Sequence, residues 1–365
     1  MNIGIDAKRI FLNHTGLGSY GRNLINGLNQ VNIEDDFNLY TPKKTKLFNT
    51  NPLNSNYKTK TCNSFSKAFW RSYAINNDLK KDDINIYHGI SNELPFALDS
   101  KIKSIVDIHD LLFIRFPKFY HYFDRQIFKY KTQSACNSSN IIIATSISTK
   151  NDIVNYYNIN PNKIEVVYQS CADEYFEKTP KEHKQNTLTK YKLPNDYILC
   201  VGTIQERKNQ KQILEALKIS KHKIPLVLIG GGKKYKEDLI EFALKNKLEL
   251  IIPNSFVADN DLPAIYQSAK AFVFPGLSEG FGIPIVEAMA SQIPVITSFN
   301  TSMAEIVQDT KCLINPLSPE DIADKIDDFL DNPNEKIIED NYNRAQYFRN
   351  IEFAKRVNKI YKSLK

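Results

Sequence analysis

The chain reads as an α/β protein built from two doubly wound, Rossmann-like domains. Three observations predict that class. Its 365 residues exceed what one ordinary core holds. Short β-branched runs alternate with helical patterns along the whole length, as parallel sheets flanked by helices require. A polar, aperiodic stretch, Lys178-Thr-Pro-Lys-Glu-His-Lys-Gln-Asn186, separates one series of such runs from a second that starts afresh.

The first series begins at Met-Asn-Ile-Gly-Ile-Asp-Ala, a strand rather than a leader, because no basic region precedes an apolar core. Further strands are expected at 84–87, 104–106, 141–144 and 164–167, with helices around 17–30, 120–137 and 148–157. The second series places strands at 197–201, 226–229, 248–252, 271–274 and 295–297. Residues 343–365 read as one or two helices. The expected organisation is a first domain over 1–177, a linker over 178–190, a second domain over 191–342 and C-terminal helices over 343–365. Doubly wound sheets bind ligands beyond the carboxyl ends of their strands, so two such domains facing each other put the site in the cleft between them.

Composition narrows the function. With 42% hydrophobic and 24% charged residues the chain is a soluble, globular type, and no apolar run approaches the ~18–20 residues of a spanning helix. Five cysteines, at 62, 136, 171, 200 and 312, show neither CxxC spacing nor histidine clustering. Reduced thiols in a cytoplasm and no metal site are expected. The net charge of +7 is too diffuse for a nucleic-acid partner. It is most lopsided over 101–150, with eight Lys/Arg against three acids. There, residues 113–131 interleave aromatics with Arg115, Lys118, Arg125, Lys129 and Lys131. Such a segment suits contact with anionic lipid headgroups at the inner membrane face. It equally suits a loop and an amphipathic helix whose aromatics enter the core.

The most informative stretch is Ser278-Glu279-Gly280-Phe281-Gly282-Ile283-Pro284-Ile285-Val286-Glu287-Ala288-Met289-Ala290. Its glycines fit a sharp strand-to-helix turn, and Pro284 fits the first position of a helix. The free N–H groups of that helix and its positive end then face the space beside Glu279, a place suited to a diphosphate. Carboxylates only accept hydrogen bonds, so Glu287 can grip ribose hydroxyls and Glu279 those of a sugar. In Ile198-Leu-Cys-Val-Gly-Thr-Ile-Gln-Glu-Arg-Lys-Asn209, a strand ends at Gly202 and Thr203, and Arg207 and Lys208 stand before a helix. Fixed cations there stabilise charge on a leaving diphosphate. Gly231, in Leu228-Ile-Gly-Gly-Gly-Lys233, closes another strand where backbone can approach a nucleotide. The match of Gly16-Leu-Gly-Ser-Tyr-Gly21 to G-x-G-x-x-G is not a dinucleotide fingerprint, because about ten residues separate it from the first strand.

The pattern EGFGIPxxEAMA resembles the donor-site signature of retaining glycosyltransferases of family 4, and the likeness to bacterial mannosyltransferase-like members runs through most of the chain. It implies the two-domain GT-B architecture, with the final helix packing back on the first domain. It implies a metal-independent transfer of a hexose, mannose from GDP-mannose, to a saccharide or lipid-linked saccharide in cell-surface polysaccharide synthesis. No separate cofactor is implied beyond the nucleotide sugar. Glu279, His109, Arg207 and Lys208 are the implied catalytic residues. Glu287, Gly202, Thr203, Gly280, Phe281, Gly282, Ile283 and Gly231 would bind the donor. Gly16 and Gly18 would form an acceptor-side or diphosphate loop, or else a purely structural helix entry, and His88 would line the acceptor side. The segment 253–263 resembles the part of the family where backbone meets the base. Three positions depart from the family pattern: Thr203 and Asp107 stand where arginine and threonine are usual, and Gln292 where glycine is common. UDP-sugars, a nucleotide-sugar epimerase and a silent nucleotide-sugar-binding subunit remain alternatives.

Overall fold

The computed structural model describes residues 1–61 and 69–365; Cys62 lies outside them. The chain divides into two compact units, Met1–Ser170 with Arg349–Lys365, and Cys171–Phe348. Each holds one all-parallel sheet.

The first sheet contains β1 (Asn2–Asp6), β2 (Asp36–Thr41), β3 (Tyr57–Thr61), β4 (Ile86–Gly89), β5 (Lys103–Ile108), β6 (Ile141–Ala144) and β7 (Ile164–Val166), in the order β3-β2-β1-β4-β5-β6-β7. Central strands such as β6 are continuous apolar runs because helices cover both faces of a parallel sheet. β2 and β3 were not expected from the sequence. β3, Tyr-Lys-Thr-Lys-Thr, is an edge strand whose lysines discourage further pairing, so it lacks the apolar run that marks a strand. The second sheet contains β8 (Ile198–Val201), β9 (Leu226–Ile229), β10 (Leu250–Ile251), β11 (Ala271–Phe274), β12 (Val295–Ser298) and β13 (Leu313–Ile314), in the order β10-β9-β8-β11-β12-β13. β13, a two-residue edge strand, also escaped the pattern. Strand order reverses between β1 and β4 in one sheet and between β8 and β11 in the other. These are the crevices where open α/β sheets take ligands.

Five helices matter below: α1 (Gly16–Val31), α2 (Tyr122–Ser138), α3 (Lys181–Tyr191), α4 (Ile283–Ala290) and α5 (Asn350–Ser363). α5 belongs to the first unit, as the resemblance implied, and packs along α1. Phe353, Val357, Ile360 and Tyr361 form its buried stripe, and Tyr20, Leu24 and Leu28 that of α1. Residues 178–190, expected as a linker, instead carry most of α3. Its Lys190 and Tyr191 both bond Asp261 of the second unit. Only Thr187, Leu188 and Tyr191 of α3 are buried, too few for a helical period to show.

Gly16 and Gly18 do not form a loop. Both lie inside the first turn of α1, and a Cβ on Gly18 would sit 1.9 Å from the Asn13 carbonyl oxygen. Gly18 therefore permits a close backbone approach that any side chain would block.

Candidate donor site

The carboxyl ends of β8 and β11 bring together Arg207, Lys208 and Glu279. β8 runs into Gly202 and exposed Thr203, whose carbonyl accepts a hydrogen bond from Gln210. A short turn then delivers Arg207 and Lys208. β11 ends at Phe274 and leads through Pro275 and Gly276 to Glu279. Asn209 Nδ2 ties the two connections together by donating to the Pro275 carbonyl at 3.1 Å. The Leu277 N–H does the same by donating to the Arg207 carbonyl at 3.0 Å.

One oxygen of Glu279, Oε1, accepts from Arg207 Nη1 at 2.9 Å and from Lys208 Nζ at 2.7 Å. Arg207 also donates to the Ser278 carbonyl. The Lys208 ammonium lies 4.9 Å from the centre of the Phe274 ring, a cation–π contact that holds it over the strand end. These three ionic side chains keep 10–13% of their surface exposed. The Glu279 main chain is fixed independently, since Ser302 Oγ donates to its carbonyl at 2.9 Å.

Gly282, with φ of 127°, makes the turn into α4 and occupies a backbone region closed to other residues. Ile283 is the first helical residue, so Pro284 stands second rather than first. Phe281 is not available to a ligand through its side chain. It is buried 5.7 Å from Phe348, so only its main chain can take part. Glu287 follows one turn into α4. Tyr266 donates to its Oε2 at 2.7 Å, and Tyr175 bonds the same carboxyl. Burial pushes the Glu287 carboxyl up to about 7, against the opposing pull of the two tyrosine hydroxyls. Sequence reasoning missed both tyrosines, because nothing local marks a partner brought in from another element. Gly231 lies beside the β8 exit, where its carbonyl accepts from the Ile204 N–H at 2.8 Å.

The first unit gathers its candidates differently. His109 follows β5. Its Nε2 donates to the Ile90 carbonyl at 2.9 Å, and its Nδ1, 3.1 Å from Gln169 Nε2, accepts from that amide. A carbonyl can only accept, so Nε2 carries a proton toward Ile90, and the Tyr20 ring stands edge-on at 4.7 Å. His88 does not line a surface. It is fully buried, with Nε2 2.7 Å from Asp107 and Nδ1 2.7 Å from the Tyr361 hydroxyl of α5. Tyr20 donates to the other oxygen of Asp107 at 2.8 Å. Asp107, one of the departures from the family pattern, is the centre of this sealed network. Among the described residues no group of His, Cys, Asp and Glu is placed to hold a metal ion.

Two family profiles match the chain in series. That described as Glycosyltransferase Family 4 covers residues 15–171, and that described as Glycosyl transferases group 1 covers residues 181–347. The chain belongs to this glycosyltransferase family. O-antigen chain mannosyltransferase B of Escherichia coli is 30% identical over 239 residues, 63% of this chain and 61% of that protein. O-antigen chain mannosyltransferase RfbU of Salmonella typhimurium is 27% identical over 215 residues, 58% of this chain and 56% of that protein. The matches thus span about three fifths of these curated relatives. Among solved structures, HepE of Anabaena in complex with UDP and glucose aligns over 100% of both chains with a TM-score of 0.77 at 14% identity. The chain shares that GT-B fold, and the stretch from Ser278 to Ala290 follows β11 at the β8/β11 crevice.

Proposed function

We propose that the chain is a retaining, metal-independent glycosyltransferase that moves mannose from GDP-mannose to a saccharide or lipid-linked saccharide in cell-surface polysaccharide synthesis. The observation that carries this reading is the pairing of Arg207 and Lys208 with Glu279 at the β8/β11 crevice, with Glu287 one turn into the helix that follows Glu279. The printed names of the two bacterial relatives support mannose and a polysaccharide product.

Glu287 accepts from the ribose hydroxyls, and Arg207, Lys208 and the N–H groups at the start of α4 hold the diphosphate. The bond between C1 and the phosphate oxygen breaks, and its electron pair goes to the leaving diphosphate. The acceptor oxygen bonds C1 on the same face, and its proton passes to that phosphate oxygen. The two cations stabilise the charge as it grows. His109 contributes a hydrogen bond or electrostatic support rather than general base catalysis, because the leaving phosphate oxygen takes the acceptor proton.

The acceptor side extends to α2. Phe123 is 79% exposed and Tyr130 67%, with Tyr122, Ile127 and Phe128 also exposed beside Arg125 and Lys129. The aromatics of this half-helix are thus not in the core. They fit peripheral contact with an anionic membrane on the cytoplasmic side, where a lipid-linked acceptor would be met. Loss of sedimentation with anionic vesicles in Phe123→Ser/Tyr130→Ser is expected; unchanged sedimentation removes this part of the reading.

A UDP-sugar is the second reading, favoured by the UDP and glucose named for HepE. The test is product analysis by NMR with GDP-mannose, then UDP-hexoses, and a panel of saccharide acceptors. Transfer from GDP-mannose with the α-configuration kept supports the proposal. Transfer from UDP-sugars alone replaces the donor, and donor conversion without acceptor replaces the reaction class.

A further inference from the structure

Arg207 and Lys208 already share an anion, and it belongs to the protein. Glu279 Oε1 stands 2.9 Å from the guanidinium and 2.7 Å from the ammonium, the position that an oxygen of a diphosphate held by both cations would take. The carboxylate brings one negative charge and one oxygen to two cations. A diphosphate brings more charge and several oxygens, so it is the stronger claimant. The Glu279 backbone is pinned through Ser302 at its carbonyl and Thr301 at its N–H. Its carboxylate can therefore turn away by side-chain rotation alone, while Arg207 stays anchored on the Ser278 carbonyl and Lys208 over Phe274.

We propose that Glu279 is a built-in, exchangeable counterion of the diphosphate site. Arrival of a nucleoside diphosphate group takes Arg207 and Lys208 from the carboxylate and frees it to face the transferred sugar. After transfer, the same carboxylate competes for the cations and helps expel the nucleoside diphosphate. This inference rests on the donor-site reading above and adds a role that sugar contact alone does not supply. A residue that only binds sugar has no effect on a diphosphate that carries none. A competing counterion opposes that diphosphate directly.

The probes are GDP, UDP, ADP and inorganic pyrophosphate, titrated calorimetrically into the full chain. The proteins are the wild type, Glu279→Gln, Glu279→Ala and Glu279→Gln/Lys208→Met, each checked for folding by circular dichroism. Both single variants are expected to bind the preferred diphosphate on the order of tenfold tighter than wild type, since a contact charge is removed from two cations. The double variant loses that gain, and sugar transfer falls in all three variants. If the wild type binds a diphosphate and the Glu279 variants bind it equally or more weakly, the counterion role is overturned while the donor site stands. If no protein binds any probe, the donor-site reading fails and takes this inference with it. The glutamine variant is nearly isosteric, so it decides the question even if the alanine variant does not fold.

Discussion

The two crevices where strand order reverses are built from the same kinds of residue and arrive at opposite results. At the β1/β4 reversal, Arg71 is buried and saturated. Its Nε and Nη2 meet Asp6 Oδ2 at 2.7 and 2.5 Å, Nη2 reaches Ser91 at 2.6 Å, and Nη1 reaches Glu93 at 2.9 Å. At the β8/β11 reversal two cations share one carboxylate oxygen. The first cluster gives the guanidinium two carboxylates, and Lys131 joins one of them, Glu93, at 3.4 Å, so cations and anions balance. The second gives two cations a single carboxylate and is short of anion. The difference between the two strand ends lies in that charge balance. The sequence shows the residue types but not that balance.

The largest expected effect breaks the Arg71 cluster. Asp6→Ala leaves a buried guanidinium half-paired and should cost about 3–5 kcal/mol in denaturant unfolding. Glu279→Gln should cost less than this, because the amide oxygen can still accept from one of the two cations and both keep their second contacts, to the Ser278 carbonyl and the Phe274 ring. Equal losses would mean the two crevices do not differ as described. Next, Lys208→Ala should weaken diphosphate binding about 30-fold or more, judged from truncation of buried charge pairs at interfaces. Its unfolding free energy should move little. A binding constant within twofold of wild type would remove Lys208 from the site.

The third prediction concerns pH. The carboxyl of Glu287 lies at about 7 in the folded chain against 4.5 for the free group. Below 4.5 it is protonated in both states and costs nothing. Above 7 it is ionised in both, and its burial penalty is complete. Stability from this group therefore falls as pH rises from about 4.5 to 7. Glu287→Gln should unfold on the order of 2 kcal/mol less readily at pH 8, with the gain vanishing near pH 4.5, read from urea midpoints. A gain independent of pH would show that the buried charge is not its cause. The smallest effect is at Gln292, whose φ of 56° follows the end of α4. Gln292→Gly should stabilise by about 1 kcal/mol without changing nucleotide binding, because glycine adopts that left-handed conformation without strain. A loss of stability would mean the side chain contributes more than the strain removes.

The comparison also marks how far the sequence was legible. Strands β6, β9 and β11 were readable to the residue because buried parallel strands are unbroken apolar runs. The edge strands β3 and β13 were not, because one is charged and the other is two residues long. Helix α3 was hidden by its polar composition. Glu279, Glu287, Arg207 and Lys208 stood out because each sits in a local pattern of glycines, a strand end or a helix start, although the pairing of Glu279 with Arg207 and Lys208 joins two distant strand ends. His88 and Gly18 looked like site residues by type, yet tertiary packing buries them, whereas Gly16 stays exposed at the start of α1. Tyr175, Tyr266 and Asp107 act through partners from distant elements, which no local pattern records.

The most direct test of the central claim is isothermal titration of GDP-mannose and GDP into the wild type and Glu287→Gln at pH 6 and pH 8. The account predicts wild-type binding that strengthens from pH 6 to pH 8, with proton release at the lower pH, and loss of that dependence in the variant. Binding of equal strength in both proteins, indifferent to pH, would contradict the placement of the donor ribose on Glu287.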